Sequence, residues 1–187
     1  METKYKSSKF ATYSQYIAAP IIVGTLLYYL YLLFIGVNLT EEELFFFPFW
    51  FWASIVVIIN SIKLRYVNIT ENNILMKSLL EKEILLYKDI EWINQNIFGS
   101  NWYIITIKYK DIKKGKSKII FVFPEMYIAR ENLSFYKELN MTKYIREQIL
   151  KVNTSYRVED EPSRWYLTKW IFLSFLPFII ISFLLIV

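Results

Sequence analysis

Two patterns of apolar residues follow one another along the 187-residue chain. Residues 16–37 (YIAAPIIVGTLLYYLYLLFIGV) and 44–62 (LFFFPFWFWASIVVIINSI) are unbroken apolar runs without a charge. Residues 165–187 form a third run, with Lys169 close to its start. A helix needs about 20 such residues to cross the hydrocarbon core of a bilayer, so the pattern predicts three transmembrane helices. The first run is too long for the apolar stretch of a signal peptide and has no small-x-small cleavage site behind it, so it is expected to be retained. Only a short polar segment separates the first two runs, which predicts a tight helical hairpin over 16–62. Thr40 and Glu43 in that segment have the spacing of a capping box at the start of the second helix. Pro48 is expected near that helix's first turn or just beyond, where its missing N–H does less harm than it would mid-span.

Residues 63–152 have a different pattern: short β-rich stretches separated by polar breaks. Strands are predicted over 63–70, 74–80, 83–88, 90–94, 102–109 and 118–123, with turns at 71–73, 81–82 and 98–101. The connections are short, which favours an antiparallel meander over crossover helices. Phe135, Leu139, Ile145, Ile149 and Val152 then recur at three- and four-residue steps, predicting an amphipathic helix of about five turns, with Asn132 or Ser134 as its N-cap. Residues 153–164, with Asn, Asp and Pro, read as a linker into the third span. The fold class expected is therefore an α+β membrane protein: three transmembrane helices flanking an antiparallel β-barrel or meander with a C-terminal amphipathic helix.

Charge adds an orientation. The net charge is +5. Lys4, Lys6 and Lys9 lie in residues 1–15, read as a basic N-terminal segment. Three glutamates and no Lys or Arg occupy the hairpin loop, and Lys63, Arg65, Arg157, Arg164 and Lys169 flank the other ends. The positive-inside rule then puts the N-terminus and middle segment in the cytoplasm and the C-terminus outside. The chain has no Cys and no His. That excludes disulfides and thiolate or His-based nucleophilic catalysis, and argues against a zinc centre. The spans carry no charged side chain away from their ends, which does not fit a stand-alone pump. No Gly-rich phosphate loop, metal-ligand spacing or carboxylate pair stands out, so neither a cofactor nor an enzymatic activity is expected.

Two groups of residues are candidates for contact. Lys108, Lys110, Lys113, Lys114, Lys116 and Lys118 crowd one hairpin against a single Asp111. They read as a solvated tip, as a contact for a partner, or as a contact for anionic lipid; no RNP-type aromatic motif accompanies them, so nucleic acid is not expected. In the spans, Gly24, Ala53 and Ser54 would permit close helix approach, and the hydroxyls of Tyr28, Tyr29 and Tyr31 need partners. These positions suit packing within the three helices or docking against another membrane protein.

The stretch Tyr66-Val67-Asn68-Ile69-Thr70, then Ile74, Lys77-Ser78-Leu79-Leu80, Ile84 and Tyr87-Lys88-Asp89-Ile90 resembles the bacterial pleckstrin-homology-like domains. The likeness covers residues 62–152 and the layout of spans around them; Ser78 stands where many members have Gly. It implies a bacterial inner-membrane protein without enzymatic activity, displaying a binding domain as adaptor or accessory subunit. Its expected partners are the lipid bilayer and other membrane subunits or further copies of the chain. The alternative is a small membrane protein of immunity or stress protection.

Overall fold

The computed structural model describes residues 2–36, 40–78, 81–98, 102–111, 115–125 and 138–184. The fold is α+β and divides into two units: Met1–Thr12 with Lys63–Thr168, and Tyr13–Ile62 with Lys169–Val187.

The helical unit follows the long apolar runs. Helices α1 (Lys9–Phe34) and α2 (Glu41–Lys63) are both long and apolar enough to cross a membrane. At 1.5 Å per residue α1 is about 39 Å long, against a hydrocarbon core of about 30 Å. Ser8 starts α1 by accepting the Ala11 N–H on its hydroxyl (3.1 Å). Gly36, at φ +76, follows its C-terminal end, and the left-handed conformation there suits a residue without Cβ. The capping box at α2 forms as the spacing predicts: the Glu43 N–H donates to Thr40 Oγ1 (3.3 Å) and the Thr40 N–H to Glu43 Oε2 (2.9 Å).

Pro48 is the eighth residue of α2, which starts at Glu41, ahead of the apolar run, and so lies inside the helix beyond its first turn. Pro20 is likewise internal to α1. The last helix of the unit runs to Leu184 and begins in the α+β unit at Tyr166; it is also apolar, with Pro177 inside. In that helix (numbered α4 in chain order) Phe175 and Phe178 face α2. Trp52 meets Phe175 at 4.7 Å between ring centroids, Phe51 meets Phe178 at 6.3 Å, and Trp52 Nε1 donates to Ser174 Oγ at 3.0 Å.

Among the described residues the α+β unit holds seven strands in two antiparallel sheets. One has the order β1 (Tyr5–Lys6), β2 (Tyr66–Ile69), β3 (Asn73–Lys77) and β4 (Lys82–Leu86). The other is β5 (Ile90–Phe98), β6 (Trp102–Asp111) and β7 (Lys116–Val122). Alternate residues point inward: Val67, Ile69, Ile74, Met76, Ile105, Ile107, Ile120 and Val122 are all buried. Helix α3 (Asn140–Val152) closes the core with Met141, Ile145 and Ile149 along one stripe. Each such aliphatic side chain contributes about 1.5–3 kcal/mol by leaving water.

Several boundaries differ from the sequence pattern. Lys63 ends α2 rather than opening a strand. β5 continues past residue 94 to Phe98, because Asn94, Gln95 and Asn96 are buried with hydrogen-bond partners instead of breaking the strand. α3 starts at Asn140 after an extended Leu139, so it has about 3.6 turns rather than five. The N-cap positions 132 and 134, and Phe135, lie outside the described residues.

The basic N-terminal segment also carries structure. Tyr5 and Lys6 pair with Ile69 and Asn68, and the Ser7 hydroxyl accepts the Val67 N–H at 2.7 Å. One margin of the two sheets is joined here, where the Ser8 N–H donates to Phe123 O and the Arg65 N–H to Phe121 O. Residues read as a linker pack onto the unit as well. Tyr156 is buried, and Glu161 receives the Arg146 guanidinium on both oxygens and the Tyr156 hydroxyl.

Candidate functional site: an open sheet edge

Strand parity decides what the lysine hairpin can do. Register pairs Tyr109 with Lys118, Lys110 with Ser117 and Asp111 with Lys116. Lys116 and Lys118 therefore share the face of Tyr109 and Asp111, and Lys108 and Lys110 take the other. A run that is continuous in sequence is split between two surfaces.

Ion pairing reduces it further. Lys108 meets Glu91 at 2.8 Å, and Lys118 meets Asp111 at 2.7 Å and Glu83 at 3.8 Å. Hydrogen bonds from Lys108 and Ser117 hold the Glu91 carboxyl below its ordinary range. The bond to Asp111 raises the Lys118 ammonium. Lys110 and Lys116 are exposed; Lys113 and Lys114 lie outside the described residues. Such surface pairs contribute about 0–1 kcal/mol each, so among the described residues the hairpin presents mixed charge rather than a basic patch.

The helix positions also separate. A Cβ built at Gly24 would meet nothing within 4 Å, and Tyr28 and Tyr31 are exposed. None of these three supplies a close helix contact within the described chain. Ser54 is buried and donates to Trp50 O at 2.7 Å. Ala53 and Tyr29 are half-buried.

The feature that sequence reasoning missed is the asymmetry of the two sheet edges on the side away from β1. β5 is tied down through its side chains and one main-chain group: Gln95 Oε1 accepts the Leu139 N–H (2.7 Å), Asn94 Nδ2 donates to Ser163 O (2.8 Å), Asn96 Oδ1 accepts the Leu167 N–H (3.2 Å), and Asn153 Nδ2 donates to Ile90 O (3.4 Å). β4 pairs with β3 alone, and its outer edge pairs with no strand among the described residues.

The sequence of β4 is KEILL. Leu85 points into the core, while Ile84 stands 65% exposed on the opposite face, directly across from Leu75 on β3. Beside this edge lies a cleft of about 430 Å³, lined by Ile84, Leu86, Asp89, Tyr109, Lys110 and Asp111 among others. Burial, and then the neighbouring Glu83, push the Tyr109 phenol up to about 12; its hydroxyl donates to Glu83 Oε2 at 3.3 Å.

An unpaired edge offers a row of backbone donors and acceptors to an extended chain. Most edges are blunted by charge, proline or a bulge, and here Lys82 and Glu83 do so at one end only. Ile84 and Leu86 leave the other end apolar, and the cleft offers room for a side chain of an added strand. Among the described residues no group of acidic side chains could hold a metal ion. No protein-family model matches the chain, and no curated protein matches it.

Proposed function

We propose that this chain is a multi-pass protein of the bacterial inner membrane that displays a pleckstrin-homology-like α+β module in the cytoplasm. The module acts without catalysis as an adaptor or accessory subunit, and β4 is its docking strand. The observation that carries this reading is the β4 edge, which pairs with no further strand among the described residues, with Ile84 exposed beside a cleft.

Topology supports the membrane arrangement. β1 precedes α1 and β2 follows α2, yet the two are hydrogen-bonded in one sheet. Both flanks of the helical hairpin therefore belong to a single folded unit, which requires an even number of crossings between them. The lysines on those flanks favour the cytoplasmic side. We take α4 as a third crossing, which carries the C-terminus outside. Its length of 19 residues corresponds to about 28 Å, close to the hydrocarbon thickness.

Strand addition predicts a partner held by main-chain hydrogen bonds along β4 and by an apolar side chain beside Ile84. A photo-crosslinking side chain placed at Ile84 in native membranes should give one discrete adduct, whether with another subunit or with a second copy. The same group at Lys143, on the exposed face of α3, should give none. Absence of an adduct at Ile84, or equal labelling at both positions, removes the docking assignment.

A further inference from the structure

The helical unit contains a second concavity that the adaptor reading does not use. Between α1 and α2 lies a cavity of about 200 Å³, walled by Tyr29, Phe46, Phe47 and Trp50 and bounded by Glu42 and Glu43. Glu43 is engaged in the capping box with Thr40. Glu42 has no ion-pair or hydrogen-bond partner among the described residues. The same holds for the Tyr29 hydroxyl and the Trp50 indole N–H, although both rings sit on the cavity wall. A carboxylate at the rim of an aromatic-lined hollow is complementary to one chemistry in particular. Electron-rich ring faces attract an organic cation, and the carboxylate supplies its counter-charge. The size selects further: the hollow is smaller than the range of about 300–1,000 Å³ that takes drug-sized ligands. It suits a headgroup, not a folded peptide segment. The apolar helix surface outside it would accompany an alkyl tail.

We propose that this cavity binds the ammonium head of an amphiphile, with Glu42 as counter-ion and Trp50 and Tyr29 as the aromatic wall. The site is independent of the β4 edge. The ammonium group could belong to a membrane lipid or to a free long-chain amine, and the two are separable by competition.

The test uses the full chain in a neutral detergent and native mass spectrometry, with decyltrimethylammonium as probe and decanesulfonate as its anionic counterpart. The chain should retain decyltrimethylammonium and not decanesulfonate. E42Q and W50L should each lower retention about tenfold, equivalent to about 1.4 kcal/mol. E147Q, at an exposed acid on α3, should change nothing, and far-ultraviolet circular dichroism should show all three variants folded. If phosphatidylethanolamine displaces the probe, the natural ligand is a lipid head; if probe binding persists beside it, the ligand is a free amine. Equal retention of the sulfonate, or full retention by both E42Q and W50L, would overturn the site.

Discussion

The two units of this chain treat the same apolar side chains in opposite ways. In the α+β unit Ile145 is fully buried beneath the sheets. In the helical unit Leu27 is 59% exposed and Phe172 62% exposed, on helices that carry such residues all round. A water-facing surface that apolar is larger than soluble monomers tolerate, which fits helices long and apolar enough to cross a membrane. Polar groups show the same division. In the α+β unit Lys108 pairs with Glu91, Lys118 with Asp111 and Arg146 with Glu161 across strands and turns, whereas the hydroxyls of Thr25 and Ser54 return to their own helix backbone at Ile21 and Trp50.

Substitutions test that contrast most severely where burial is complete. Ile145→Ala should cost about 2–5 kcal/mol through lost burial and the cavity left behind. Leu27→Ala, a similar truncation, should stay within about 0.5 kcal/mol; urea unfolding in detergent followed by circular dichroism compares the two. If both cost the same, the helical unit is packed in a way the contrast does not allow. Leu27→Arg should instead penalise membrane insertion by about 2.5–3.5 kcal/mol if that turn lies near the bilayer centre. An insertion assay with the hairpin alone reads this directly.

Ionisation gives the next effect. The folded Tyr109 phenol titrates near 12 against an ordinary value of 10. Its contribution is thus complete below about pH 10 and is lost as pH rises through 12, amounting to about 3 kcal/mol. Stability of the wild type and Tyr109→Phe, measured across pH 9–12 together with absorbance at 295 nm, should diverge over that window. Thr40→Ala, which breaks the capping box of α2, should lower helix stability by about 1 kcal/mol. The smallest effect belongs to Lys108 and Glu91: a double-mutant cycle should give a coupling below about 1 kcal/mol that shrinks further with salt.

The two long apolar helices α1 and α2 and the capping box were legible because their signals are local: uninterrupted apolar runs, and a hydroxyl three residues before a carboxylate. The long strand β6 was legible for the same reason. β1 was not, since Tyr5 and Lys6 have no pattern of their own and are held by residues far along the chain. The end of β5 was missed because Asn94, Gln95 and Asn96 look like a break until their partners at 163, 139 and 167 are known. The split of the lysine hairpin between two faces was not legible either, as strand alternation separates neighbours that a one-dimensional reading groups together. Openness of the β4 edge lies beyond any local signal. It depends on which strand fails to arrive.

The N-terminal strand has a consequence for how the protein is made. Residues 4–8 leave the ribosome before either hairpin helix, but their hydrogen-bonding partners at 67–69 and 123 are synthesised after both. The first sheet must therefore wait, incomplete, while the helices are delivered. A tag or leader fused immediately ahead of Tyr5 would burden the step that finishes assembly, and a truncation there would leave β2 as a second bare margin open to promiscuous association.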